Sequence, residues 1–256
     1  MKKIMTLAAI FAAVMMGVSS CNPDDTKPEQ KPDTETPGTN DETPGTEDET
    51  PGTEDETPAG LGIAIDGDFA DWDALTDVAT ATCDPEAGWT ALKTLKACAD
   101  DAAVYIYLEF VEEEIADRAW TPVHVYMDAD NSPETGGYGD QYAEACCEWC
   151  LEGAVFSEDA FCSYDGGLYP WVGEPGANGW SWGDSMYAGF TSGAGNGAKY
   201  EIMITKELCA DVEFADTFGL GVDIQQSWES VGVLPNAACT DDNTAGLAPL
   251  LRVTKK

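Results

Sequence analysis

Apolar and polar residues alternate with a period of two through much of this chain, and the alternation predicts strands. In Val104-Tyr105-Ile106-Tyr107-Leu108-Glu109-Phe110 the aliphatic residues and Phe110 share one face, while Tyr105, Tyr107 and Glu109 share the other. Phe218-Gly219-Leu220-Gly221-Val222-Asp223-Ile224-Gln225 repeats the pattern more cleanly. Tyr200-Glu201-Ile202-Met203-Ile204 and Val123-His124-Val125-Tyr126-Met127-Asp128 follow it too. Successive strand side chains point to opposite sides of a sheet, so each segment can bury one face and leave the other free. Shorter candidates cover 61–65, 89–97, 142–151, 154–163 and 247–254. Helical spacing is nearly absent, and one short helical turn is expected after Thr205, over Lys206-Glu207-Leu208-Cys209. Many strands with one buried face predict an all-β fold, an antiparallel β-sandwich around a single core. The glycine-rich, aromatic stretch between 164 and 198 is expected to project from one end or to lie over one sheet.

The pattern stops upstream of residue 61. Residues 1–20 read as a lipoprotein signal peptide: Lys2 and Lys3 give a basic start, and Ile4 to Val18 is almost wholly apolar and small. That run is too short for a comfortable membrane span. It ends in Val18-Ser19-Ser20-Cys21, which resembles the bacterial lipobox, so Cys21 is the expected lipidation site. Each buried methylene of an acyl chain adds ~0.8 kcal/mol, and more than one chain gives stable anchoring. Residues 21–60 form an acidic tether. Positions 22–58 hold seven prolines, nine threonines and thirteen acidic residues, with no large apolar side chain. Nothing there can offset chain entropy. A seven-residue repeat, TPGTNDE then TPGTEDE twice, runs from Thr36 to Glu56. Fully extended, the tether reaches about 115 Å, and a flexible coil averages nearer 35 Å. Asp24-Asp25, just after the cysteine, resembles the surface-export signal of Bacteroidetes lipoproteins. The expected location is therefore the outer membrane, lipid-anchored and facing the exterior, with the membrane engaged through the lipid alone.

The tether takes 13 of the 48 acidic residues and leaves 35 against 8 basic ones in residues 61–256, the predicted sandwich domain. Nucleic acid is excluded as a partner, because its affinity comes from cations that neutralise phosphates. The charge serves solubility and also suits cation binding. Eight cysteines remain beyond Cys21: Cys83, Cys98, Cys146, Cys147, Cys150, Cys162, Cys209 and Cys239. An even number in an exported chain predicts disulfides. Cys83 with Cys98 is the first expected pair, and Cys150 or Cys146 with Cys162 is a second, across a hairpin.

Several segments in order carry a family resemblance. They are Ile65-Asp66-Gly67 with Asp71-Trp72; Asp100-Asp101 before Val104-Tyr105-Ile106-Tyr107; Val125-Tyr126-Met127-Asp128-Ala129-Asp130-Asn131 with Thr135-Gly136-Gly137; and Tyr200-Glu201-Ile202-Met203-Ile204. Together they resemble the carbohydrate-binding module family 9 and DOMON-related β-sandwiches over almost all of 61–253. The resemblance implies a jelly-roll-like two-sheet sandwich, often with structural calcium. Many members bind sugars and others bind haem, so the fold alone does not settle function. No haem is expected here, since His124 is the chain's one histidine. The eight cysteines depart from the family's usual pattern. Ile65 and Trp72 are expected as inward anchors, with the surrounding aspartates bonding the turn.

Two sets of side chains offer chemistry. Asp128, Asp130 and Asn131 leave a strand together, and Asp140 follows a glycine-rich turn that could return to them. Calcium wants six to eight oxygens from such groups, although the EF-hand spacing is missing. The bland alternative is a turn whose Asx side chains bond local amides. The stretch YPWVGEPGANGWSWGDSMYAGF, 169–190, supplies Tyr169, Trp171, Trp180, Trp182 and Tyr187. A flat ring covers the C–H face of a pyranose while polar neighbours bond its hydroxyls. These rings are the candidate glycan contacts, or else they cap the core. Phosphate loop, nucleophile elbow and H-E-x-x-H are all missing from the sequence, which is therefore not expected to be an enzyme. Two readings follow: a surface lipoprotein with a noncatalytic carbohydrate-binding module, or an adhesion lipoprotein that recognises another surface protein and no glycan.

Overall fold

The computed structural model describes residues 60–115, 122–137, 141–144, 146–157, 160–174, 179–180, 191–206 and 213–256; at 157, 160–163 and 165–166 it describes the backbone alone. Cys21 and Cys209 lie outside the described residues.

Eleven strands among these residues form two antiparallel sheets. They are β1 (Ala79–Thr82), β2 (Leu92–Ala99), β3 (Ala103–Phe110), β4 (Pro122–Asp128), β5 (Trp149–Ser157), β6 (Ala160–Pro170), β7 (Thr191–Asn196), β8 (Lys199–Thr205), β9 (Thr217–Gln226), β10 (Glu229–Leu234) and β11 (Leu251–Thr254). One sheet has the order β1-β2-β3-β8-β7 and the other β10-β9-β4-β5-β6. β11 pairs with the first half of β9, whose second half pairs with β10. No helix among the described residues is long and apolar enough to cross a membrane.

The alternation decides what is buried. Val104, Ile106 and Leu108 of β3, Val123, Val125 and Met127 of β4, and Phe218, Leu220, Val222 and Ile224 of β9 meet in one core between the sheets. Tyr200, Ile202 and Ile204 of β8 join them, and all of these side chains are fully buried. The antiparallel β-sandwich that the alternation predicts is what forms. Its strand bounds differ from the sequence reading. Residues 61–65 alternate in burial but pair with no strand, and β5 starts at Trp149, well after 142. The candidate 154–163 is split between β5 and β6 by their hairpin.

The outer face of the five-stranded sheet is also covered. Tyr105, Tyr107, Cys98 and Met203 point away from the core and meet Leu61, Ile63, Ile65, Phe69 and Trp72 of the N-terminal segment. Trp72 sits on a five-residue helix, Ala70–Ala74, and is 1% exposed. It is an anchor, as the sequence predicts, but it seals the outer face of a sheet and not the space between the two. Glu201, fully buried on β8, holds this cover down. Its Oε1 accepts the amides of Asp66 (2.9 Å) and Gly67 (2.8 Å), and its Oε2 accepts Trp72 Nε1–H (2.9 Å). The aspartates bond local backbone: Asp66 Oδ1 accepts the Asp68 amide, Asp68 Oδ1 that of Ala70, and Asp71 Oδ2 that of Ala64.

The expected disulfides are corrected. Cys83, Cys98, Cys146, Cys147, Cys150 and Cys239 carry free thiols, and no disulfide joins described residues. Register is the reason. Cys83 lies opposite Lys93, to whose carbonyl its backbone N–H donates a hydrogen bond, and Cys98 is five positions further along β2. At strand rise that is roughly 17 Å, against the ~7 Å limit for bridged Cα atoms. Cys98 also faces the outer cover, while Cys83 packs against the central core. Cys150 pairs with Tyr169, and Cys162 lies seven positions away, between Phe161 opposite Phe156 and Asp165 opposite Ala154. Cys146 is further still, before β5 begins.

Candidate functional site

The outer face of the six-stranded sheet carries the polar and aromatic side chains. Register across β9, β4, β5 and β6 sets them in rows. The first is Asp223, His124, Glu152 and Gly167. The second is Gly221, Tyr126, Cys150 and Tyr169. At the end of β4 a third begins with Gly219 and Asp128.

The third row becomes an acidic turn. Asp128, 1% exposed, offers a carboxylate that lies with those of Asp130 and Glu148, one ligand atom of each within 4.8 Å of the others. Asp128 Oδ1 and Asp130 Oδ1 both accept the Ser132 amide (3.2 and 2.9 Å), and Thr135 Oγ1 donates to Asp130 Oδ2 (2.9 Å). Glu148 Oε2 accepts the Ala129 amide at 2.8 Å. The Cys146 thiol donates to Asp128, and Arg252 Nη1 stands 3.7 Å from its Oδ2. Burial pushes the Glu148 carboxyl up to about 7, and the Asp130 and Asp128 charges add to the rise. Burial also raises Asp128. Gly136, with φ 64°, passes so close that a Cβ there would meet the Cys146 carbonyl at 2.6 Å. Three hard oxygen donors at this spacing suit a calcium-like cation.

The structure thus brings Asp128 and Asp130 together and replaces the other expected ligands. Asn131 takes a left-handed φ of 55° and is exposed, outside the group. Asp140 lies outside the described residues. Glu148 is the residue that sequence reasoning missed. It stands inside Cys146-Cys147-Glu148-Trp149-Cys150, where the thiols drew the interpretation, and only its place one step ahead of β5 points it at the turn.

The second row is aromatic. Tyr126, Tyr142, Trp180, Cys146, Cys147, Cys150, Val233 and Leu250 form a buried cluster apart from the sandwich core, with Trp89 and Trp171 packed at its edge. Tyr142 packs against Gly221, where a Cβ would collide with its ring. Trp180 is 6% exposed, its ring 6.1 Å from that of Tyr126. It therefore supports the face from within. Trp171 and Tyr169 are half-buried and reach the surface. Trp171 bridges to Trp180, and its amide bonds the Glu148 carbonyl at 2.9 Å. One residue thus lends its side chain to the acidic turn and its carbonyl to the Trp171 strand end. Trp182 and Tyr187 lie outside the described residues.

The first row is polar and largely buried. His124 is 3% exposed and Asp223 fully buried. His124 Nε2 lies 2.7 Å from Glu152 Oε2, and the ring stacks near Tyr126. Asp223 Oδ2 accepts Gln225 Nε2 (2.7 Å) and Ser230 Oγ (3.0 Å). Burial pushes Asp223 up to about 6, while Gln225, His124 and Ser230 pull it back.

Neither a family model nor a curated protein matches the chain. Among solved structures, a carbohydrate-binding module family 9 from Caldicellulosiruptor kristjanssonii in complex with cellotriose is similar to it over 76% of this chain and 89% of its own, at 12% identity and a TM-score of 0.34.

Proposed function

We propose that this chain is a surface lipoprotein whose sandwich binds glycans without turning them over. One observation carries the reading: the outer face of the six-stranded sheet holds an aromatic layer separate from the core, with Trp171 and Tyr169 at its half-buried edge and hydrogen-bonding groups in the adjoining row. That is the composition of a sugar site, flat apolar rings beside fixed polar groups. With the signal removed, acylated Cys21 and the acidic tether would hold this face clear of an outer membrane. A cation at Asp128, Asp130 and Glu148 would brace the turn beside Trp171. The test is a glycan array probed with the full chain and with Trp171→Ala. Binding of a defined glycan class, weakened at least tenfold by the substitution, is expected. Wild-type chain that binds no glycan, or a variant that binds as well as wild type, overturns the reading.

A further inference from the structure

The β9–β10 hairpin turns through Ser227 and Trp228, at φ 53° and 68°. Asn and Gly suit these positions; a bulky side chain there is strained. Burial does not compensate Trp228, which is 72% exposed, whereas Trp89, the other aromatic residue with left-handed φ among the described residues, packs against the face. Strain at an exposed aromatic residue points to a contact made outside the chain.

A second, independent observation lies beside it. Gln225 and Ser230, three positions before and two after Trp228, both donate to Asp223. Yet Asp223 Oδ1 has no hydrogen-bond partner, and neither has Gln141 Oε1 nor His124 Nδ1. All three residues are more than nine-tenths buried. His124 Nε2 carries a proton toward the Glu152 carboxylate, and Nδ1 is the ring atom left without a partner. Asp223 Oδ1 and Gln141 Oε1 are thus two acceptors that lack donors, and His124 Nδ1 is a third unpaired atom. Buried polar groups are nearly always paired, so a donor-rich partner is missing. Gln141 Nε2 donates to Ser230 Oγ at 3.3 Å, and Ser230 Oγ donates on to Asp223, which ties the Gln141 amide to this end of the row. Glu152, a quarter of whose side chain is exposed, opens the far end.

We propose that the hairpin tip and this row form a second carbohydrate contact, selective for uncharged oligosaccharides. The inference rests on the glycan reading above. Trp228 stacks on the apolar face of one sugar. Hydroxyls of a neighbouring sugar donate to Asp223 Oδ1 and Gln141 Oε1, and another pairs with His124 Nδ1, once the Gln141 amide swings aside. Strand rise puts Asp223 roughly 13 Å from the turn, so the ligand has more than one ring. No ion pair among the described residues brings a lysine or arginine to Asp223 or Glu152. Uronate or sulfated chains would meet carboxylates that no lysine or arginine neutralises and be repelled.

Isothermal titration of the full chain with neutral gluco-, xylo- and manno-oligosaccharides, and with an oligogalacturonate as the anionic control, tests this. Trp228→Gly is expected to raise Tm, because glycine relieves the turn, and to weaken neutral-sugar binding tenfold or more. Asp223→Asn is expected to weaken it ten- to hundredfold. A merely structural Trp228 could not move stability and affinity in opposite directions. Unchanged affinity in both variants, with Trp171→Ala still disruptive, overturns this contact and leaves the proposed function standing. Oligogalacturonate bound as tightly as the neutral sugars also overturns it. A wild-type chain that binds none of the panel, neutral or acidic, overturns the proposed function and this inference together.

Discussion

Replacing Glu201 by Gln tests how the N-terminal segment is fastened. The carboxylate is fully buried and accepts three donors, two backbone amides on Oε1 and the Trp72 indole on Oε2. Glutamine keeps the shape but has one acceptor oxygen. If that oxygen stays with Asp66 and Gly67, the NH2 group faces Trp72 Nε1–H and a buried donor loses its acceptor. Such a loss costs about 1–3 kcal/mol. The two remaining bonds also lose charge assistance, although their amides lie near the surface and water can substitute in part. The expected destabilisation is therefore about 2–4 kcal/mol, a drop on the order of 1 M in the urea midpoint. Urea unfolding of the full chain, followed by tryptophan fluorescence and circular dichroism, measures it. Trp72→Phe removes the clashing donor, so the double variant should be less destabilised than the sum, with a coupling of about 1–2 kcal/mol. An E201Q chain within 0.5 kcal/mol of wild type, or strictly additive substitutions, would refute the reasoning.

Calcium at about 5 mM should raise Tm of the wild-type chain and not of Glu148→Gln, with about 2.7 kcal/mol gained at a hundredfold excess over Kd; an unmoved wild-type Tm counts against the acidic turn as a cation site. Asp223, held at about 6 when folded, lies above its unfolded value, so its contribution is complete below about pH 4 and is lost as pH rises through 6. The stability of Asp223→Asn relative to wild type should accordingly rise by roughly 2–3 kcal/mol between pH 4 and 8, and a flat difference would show that the carboxyl titrates normally. With a thiol reagent, exposed Cys239 should react at once in the native chain, and buried Cys98, Cys147 and Cys150 only on unfolding; a Cys83–Cys98 bridge in a non-reducing peptide map would contradict the β1–β2 register.

The strands that face the core were legible because their two sides differ. β3, β4, β8 and β9 put aliphatic side chains between the sheets and something else outside, and a period of two records that contrast. β7, Thr-Ser-Gly-Ala-Gly-Asn, has no such contrast. It is an edge strand held by its pairing with β8, and no local pattern announces it. The helix under Trp72 is five residues long, too short for a helical period, and lay hidden in an aspartate-rich turn. At the site, Asp128 and Asp130 were visible because they are neighbours in sequence. Glu148, Asp223 and Gln141 were not, since they join the face only through β4–β5 and β4–β9 register and a segment that crosses the sheet. Counting cysteines failed for the same reason: parity says nothing about which thiols register brings within reach.

Glu148 joins two events that would otherwise be separate, because its carboxylate belongs to the acidic turn and its carbonyl to the amide of Trp171. If occupancy of the turn alters how readily the indole meets a sugar, thermodynamic linkage fixes the reverse effect at the same factor. A sugar that binds tighter in the presence of cation must then raise cation affinity equally. If the proposed function holds, the cation concentration around the chain would set how strongly this face holds a sugar, with no moving part beyond one residue's two ends.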